Sequence, residues 1–123
     1  MSQLDEIVEQ IRAELVIRNQ ARDKTLRRTR ELIRLCATAI RASHRNEWEK
    51  AHKLLAEATA LGQSIRESVA DYPDLLYAGY TQDALKELVE AHATLALARG
   101  DPIPRPELLG VRFSSNQSEQ CES

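Results

Sequence analysis

Neither glycine nor proline occurs between Ser2 and Ala42, and this uninterrupted stretch limits the possible folds more than any other feature of the chain. We predict a single helix of about 40 residues, roughly 60 Å long. One small bundle cannot bury such a helix throughout, so it either bends or packs partly on another subunit. Its apolar residues recur at steps of three and four, the spacing of one helical face: Leu4, Ile7, Ile11, Leu15, Leu32, Ile33, Cys36, Ala39 and Ile40.

Two more helices are predicted after this one. The second, residues 46–70, would begin at Asn46 as N-cap, with Glu49 completing a capping-box pattern three residues later. A proline break follows. The third helix, residues 75–99, carries apolar residues at helical spacing and would stop at Gly100, since glycine commonly follows a helix C-terminus.

These elements predict an all-α fold, a long antiparallel bundle of three main helices with an irregular C-terminal tail. Residues 1–100 would form the helical domain, and residues 101–123 a proline-containing extension and a disordered polar tail. No run of 18 apolar residues predicts a membrane span, and the acidic N-terminus lacks the apolar core of a secretory signal. Two cysteines without metal-ligand spacing favour a reducing, cytoplasmic location.

Basic residues are concentrated in one part of the chain. Residues 18–45 contain nine Lys and Arg against two acids, net +7, although the whole chain is −2. At 100° per residue, one side of the first helix collects Arg27, Arg30, Arg34, Arg41 and Arg45, with His44 next to the last of them. Such a row could follow a nucleic-acid backbone. It could equally be a solvated helix face whose arginine stems cover apolar surface.

The third helix carries a stripe of three carboxylates, Asp83, Glu87 and Glu90. Glu87 lies about 40° from Asp83 around the helix, and Glu90 lies about 20° from Asp83 on the other side. Like charges at this spacing repel, so the stripe faces water, pairs with cations or holds a metal. Oxygen ligands suit Mg²⁺ or Mn²⁺. Spacing alone leaves the solvated face and the metal site both open.

Two segments together resemble the translin/Trax family, in particular its short prokaryotic members. They are RTRELIRLCATAIRASHRNEWEKAHKLLAEA, from Arg28 to Ala58, and YPDLLYAGYTQDALKELVEA, from Tyr72 to Ala91. The resemblance extends over roughly residues 5–110. It implies an all-α bundle that binds single-stranded RNA or DNA and assembles into hollow oligomers, either with itself or with a translin-like partner subunit.

Trax-type subunits of this family are metal-dependent endoribonucleases that use clustered carboxylates. The family's Glu-x-x-Glu motif matches Glu87 and Glu90 here, whereas Asp83 matches no catalytic position. The resemblance therefore implies Glu87 and Glu90 as catalytic and metal-binding residues, with Asp83 at most peripheral. The expected function is single-stranded nucleic-acid binding. The alternatives are a Mg²⁺-dependent endoribonuclease and a non-catalytic helical oligomerisation subunit.

The chain departs from the family after Gly110. Family members continue past the equivalent of Leu109-Gly110-Val111 into helices with an Asp-Leu-x-Gly-Glu-Leu motif, which supplies further metal carboxylates. Here the sequence reads RFSSNQSEQCES and nothing after Gly110 matches. We therefore expect a truncated or frame-altered member, or a fragment, with half of the family's carboxylate site.

Overall fold

The computed structural model describes residues 2–100 and consists of helices joined by short turns. The helices are α1 (Gln3–His44), α2 (Trp48–Ser68), α3 (Pro73–Leu76) and α4 (Gly79–Arg99). No strand occurs in this range, so the predicted all-α class is confirmed. None of these helices is long and apolar enough to cross a membrane. The predicted extension and tail, residues 101–123, lie outside the described range.

The start and length of α1 follow the local sequence. The Ser2 hydroxyl accepts a hydrogen bond from the Asp5 backbone N–H at 3.3 Å, which caps the first turn. Asp5 and Glu6 lie in that turn and Arg41 and His44 lie in the last one, so both helix ends carry charges that complement the helix dipole. With nothing to interrupt it, the helix continues for 42 residues.

The predicted N-cap at Asn46 is wrong, because Asn46 ends α1 instead of starting α2. Its φ of 61° lies in the left-handed region, which asparagine tolerates better than most residues. The N–H of Asn46 donates to Ser43 O at 3.1 Å, and the N–H of Glu47 donates to Ala42 O at 2.9 Å. This is the Schellman arrangement. Glu47 becomes the N-cap of α2 without a side-chain hydrogen bond, so the predicted capping box with Glu49 does not form.

The predicted third helix is divided in two. Pro73 begins α3, because its fixed φ and missing N–H are tolerated in a first turn. Ala78 is extended and interrupts the helix, after which α4 begins at Gly79. The Gln82 side chain donates to Leu76 O at 2.7 Å across this corner. The predicted stop at Gly100 is confirmed, with a φ of 78° that glycine adopts readily.

The three long helices enclose one apolar core. Arg28 of α1 donates to Ser64 and Ser68 near the end of α2, so these two helices run antiparallel. Gly62 allows α2 to approach α4 closely, since a Cβ there would lie 2.8 Å from Leu88 Cδ2. The core residues come from α1, α2 and α4: Leu32, Leu35, Cys36, Ala39, Ala42, Ala51, Leu55, Ala58, Ile65, Ala84, Leu85, Leu88, Ala91 and Leu95.

The bundle covers only part of α1. Every residue from 3 to 20 is exposed, whereas buried positions recur from Thr25 onward. We call residues 3–20 the free half of α1 and residues 21–44 the packed half. An exposed ion pair joins the free half to α3, with Arg18 Nη1 3.8 Å from Asp74 Oδ2.

Candidate nucleic-acid interface and carboxylate stripe

Four arginines lie on the outer side of the packed half of α1, and a fifth, Arg45, is the C-cap residue that follows it. They fall within about 60° of arc, opposite the buried Leu32 and Cys36 side, and extend over about 27 Å of helix. We call this set the arginine stripe: Arg27, Arg30, Arg34, Arg41 and Arg45, all of them exposed. Exposed His44 lies beside it in the last turn. The core therefore holds the inner side of α1 in place while the outer side presents guanidinium groups to solvent.

Among residues 2–100, most of the stripe has no carboxylate at salt-bridge distance. Arg34 is the exception, since its Nε donates to Glu31 Oε2 at 2.9 Å. That contact lowers the pKa of Glu31 and raises the pKa of Arg34. Arg41 donates to the hydroxyl of Thr38 at 3.2 Å. Within residues 2–100, the other members have no carboxylate at salt-bridge distance.

A second cationic group lies at the end of the bundle where α1 meets α2. The guanidinium carbon of Arg99 is 5.3 Å from the centre of the Trp48 ring, a cation–π distance. Arg99 Nη1 also lies 3.0 Å from His52 Nε2. The sequence contains one signal for this cluster, the four-residue spacing of Trp48 and His52. It contains none for Arg99, which is 47 residues from His52.

The three carboxylates of α4 occupy different environments. Asp83 and Glu90 are exposed, and Glu87 is half-buried. Burial raises the pKa of Glu87, and the nearby Glu90 and Asp83 charges raise it further, while Lys86 partly offsets them. Glu87 also lies close to Cys36 of α1, where burial together with the Glu87 charge raises the thiol pKa to about 12. Glu87 is therefore the one member of the three whose charge is partly withdrawn from water.

This arrangement does not by itself fit a metal ion. In the part of the chain that the structure describes, no group of three or more His, Cys, Asp or Glu side chains could hold one. Mg²⁺ needs near-octahedral oxygen coordination, to which Glu87 and Glu90 would contribute only two side chains. Their metal-binding and catalytic roles, and that of Asp83, stay predictions. No catalytic step follows from the residues present.

His92, two residues beyond Glu90, has a structural role. Its Nε2 lies 2.8 Å from the Thr59 hydroxyl, which joins α4 to α2. Burial lowers the pKa of His92, so the neutral ring is favoured at this position. His92 thus belongs to the α2–α4 contact and not to the carboxylate stripe.

Comparison with known proteins identifies the fold. No protein-family model matches this chain, and neither does any curated protein. Among solved structures, the crystal structure of apo-NeC3PO, of the translin-associated factor X/C3PO type, is similar with a TM-score of 0.74 and 24% identity. The similarity covers 92% of this chain and 57% of that one, so this chain spans little more than half of its structural relative.

The chain is thus an all-α helical bundle, and its fold is translin/Trax-like. The fold predicted from the sequence resemblance is confirmed. At this level of identity the likeness concerns the fold alone, so binding and activity must be argued from the chain's own residues.

Proposed function

We propose that this protein binds single-stranded nucleic acid through the arginine stripe of α1. The observation that carries the proposal is the row of five exposed guanidinium groups on one rigid helix face. Arginine matches phosphate oxygens with two parallel donors, and cations along a groove or ridge supply most of the non-specific affinity for nucleic acid. The translin/Trax-like fold supports the same proposal.

The scarcity of salt bridges along the arginine stripe favours a ligand-binding face over a purely solvated one. A helix face that only needs solubility is typically balanced by acids three or four residues away, as Arg34 is by Glu31. Arg27, Arg30 and Arg45 form no salt bridge among residues 2–100. For Arg27 this holds although Asp23 and Glu31 lie four residues away on the same helix. Binding a polyanion would neutralise these charges and release condensed counterions.

The cluster of Trp48, His52 and Arg99 supports a single strand over a duplex. Exposed bases stack on aromatic rings and on guanidinium planes, which a duplex does not offer along its length. This cluster follows the C-terminal end of the arginine stripe, separated from Arg45 by two residues. A strand lying along the stripe would have a stacking position at that end.

Fluorescence anisotropy with labelled single-stranded RNA and DNA at several salt concentrations tests the proposal. The Arg27→Gln/Arg30→Gln variant should lower the slope of log K against log salt by about 1.4, since each phosphate contact with a single strand contributes about 0.7. The Arg22→Gln/Lys24→Gln variant is the matched control. It removes the same charge from exposed positions of α1 that lie off the stripe.

Two results would contradict the proposal. The first is wild-type protein that shows no salt-sensitive binding at low ionic strength. The second is an equal loss of affinity in the two double variants, because that would mean that net charge and not the stripe carries the interaction. A duplex of the same sequence should bind more weakly than either single strand.

A further inference from the structure

The one tryptophan of this chain, Trp48, lies at the end of the bundle where α2 begins and α4 ends. Thr59 of α2 contacts His92 of α4. His52, nearer the start of α2, contacts Arg99, nearer the end of α4, so the two helices run antiparallel. Trp48 is half-buried because its ring packs against the core. This end of the bundle therefore presents an aromatic ring in a fixed position.

Arg99 covers one face of this ring. Its guanidinium carbon lies over the indole, 5.3 Å from the ring centre. Because a guanidinium group has only donors, Arg99 Nη1 donates to His52 Nε2, which is 3.0 Å away. His52 thus holds Arg99 in place over Trp48.

The guanidinium that covers Trp48 is weakly held. Arg99 is exposed, and it forms no salt bridge among residues 2–100. An exposed cation–π contact changes an equilibrium constant by only about 2–5-fold. A nucleobase stacked on an aromatic side chain changes a binding constant by about 5–150-fold. A base that reaches this face of Trp48 therefore binds it more strongly than Arg99 does.

We propose that Trp48 is a binding site for one unpaired nucleobase, and that the base displaces Arg99 from the ring. The identity of the ligand rests on the proposed nucleic-acid binding, whereas the contact of Arg99 with Trp48 belongs to the structure itself. A base stacked on the outer side of Arg99 would leave the indole covered. Displacement gives the base the aromatic surface and frees the guanidinium N–H groups for the adjoining phosphate.

The position of Arg99 makes the site selective for a base that is part of a single strand. A free nucleoside has to displace Arg99 and offers it no new partner. A nucleotide within a strand offers a phosphate, which the released guanidinium can bind with two parallel donors. In a duplex the base is paired and stacked between its neighbours, so it is not free to lie on Trp48.

Trp48 fluorescence tests whether Arg99 competes with a base, since no other tryptophan contributes. Adenosine supplies a base without a phosphate, and light at the red edge of the indole absorption excites Trp48 selectively. Adenosine should quench Trp48. It should bind Arg99→Gln about 2–5-fold more tightly than wild type, because that variant lacks the cation over the ring.

Arg66→Gln is the matched control for this measurement. It removes the same charge in the last turn of α2, whereas Trp48 lies in the first turn, so adenosine should bind it as it binds wild type. Equal adenosine affinity of Arg99→Gln and wild type would overturn the proposal, and so would adenosine that leaves Trp48 unquenched in both.

A short single-stranded oligoadenylate tests the fate of the released guanidinium. It should quench Trp48 in wild type. Arg99→Gln should lower the slope of log K against log salt by about 0.7, which is the contribution of one phosphate contact with a single strand. Arg66→Gln should leave the slope unchanged. A slope that Arg99→Gln does not alter would contradict the phosphate contact.

The same measurements separate this site from the arginine stripe. RNA that binds in anisotropy experiments without changing Trp48 fluorescence would overturn the base site and leave the proposed nucleic-acid interface standing. RNA that does not bind at all would contradict that interface, and adenosine quenching would still decide whether Arg99 covers a base site. Unchanged thermal melting of Arg99→Gln and Arg66→Gln would show that both variants are folded.

Discussion

The two halves of α1 have the same helical pattern and opposite environments. In both, apolar residues recur every three or four positions. In the packed half these residues meet α2 and α4 and are buried, with Leu32 and Cys36 fully inaccessible. In the free half, Leu4 and Leu15 remain more than half exposed. Periodicity therefore identifies which side of a helix is apolar, and a separate condition, a neighbouring element, decides whether that side is buried.

The two sides of the packed half have different roles. Its inner side forms the core, and its outer side carries the arginine stripe, so packing holds the guanidinium groups on a fixed face. Within residues 2–100, the free half has no buried residue, and an exposed Arg18–Asp74 ion pair links it to α3. An isolated helix of about 15 residues is marginally stable in water, so the free half is stabilised by its continuity with the packed half.

Thiol reactivity should give the largest difference between the two halves. Cys36 in the packed half is inaccessible, and with a pKa of about 12 only about 10⁻⁴ of it is thiolate at pH 8. In a Cys121→Ser background, an exposed thiol made by Val16→Cys should label at least about 10³-fold faster with a disulfide reagent. Comparable labelling rates for the two thiols would mean that the packed half opens readily.

Leucine-to-alanine changes should give the next largest difference between the two halves, in the free energy of unfolding. Leu32→Ala should lower the free energy of unfolding by about 3 kcal/mol, because it removes buried methyl groups and leaves a cavity. Leu15→Ala, the same change in the free half, should alter it by less than about 0.5 kcal/mol when the chain is monomeric. Urea titrations at low protein concentration measure both. A large loss in Leu15→Ala under those conditions would place a partner on the free half within the same chain.

Removing the charge of Glu87 should change the free energy of unfolding slightly, whereas removing a carboxylate charge from the free half should not change it. The pKa of Glu87 is raised by burial and by Glu90, so its ionised form destabilises the folded state. Glu87→Gln should therefore raise the free energy of unfolding at pH 7 by about 0.5 kcal/mol. Glu14→Gln, an exposed counterpart on the free half, should leave it unchanged.

The pH dependence of this effect has a defined sign. Since the folded-state pKa of Glu87 lies above its unfolded value, protonation favours the folded state. The destabilisation by ionised Glu87 is therefore present at pH 7 and disappears as the pH falls below the ordinary glutamate range, near pH 4. Thermal melts at pH 7 and near pH 4 check this. A gain from Glu87→Gln that persists at the lower pH would show that charge is not its cause.

Much of the fold was predictable from local sequence signals, and the errors have local reasons too. The length of α1, the stop at Gly100 and most of the apolar sides of the helices were predicted correctly. Ile33 was assigned to the apolar side of α1, but it is exposed. Asn46 was assigned to the wrong helix end, because asparagine suits both an N-cap and a left-handed C-terminal position. The break at Ala78 was missed, since alanine carries no signal for an extended conformation.

The candidate sites, too, were only partly predictable from the sequence. Spacing alone put the arginine stripe on one side of α1, because a helix of known register fixes the angular position of every side chain. It could not show that Arg28 would turn inward to Ser64 and Ser68, or that Arg99 would reach Trp48. Those contacts join residues far apart in the chain, so they depend on how the helices pack.

By itself, the sequence determined the helices, their apolar sides and the concentration of cations on α1, because these follow from local propensity and a period of 3.6 residues. Tertiary structure decided which apolar residues found a neighbour, since burial depends on where α2 and α4 begin and end along α1. It also set Glu87 apart from Glu90 and Asp83, by half-burying one carboxylate of a uniform stripe and leaving the other two exposed.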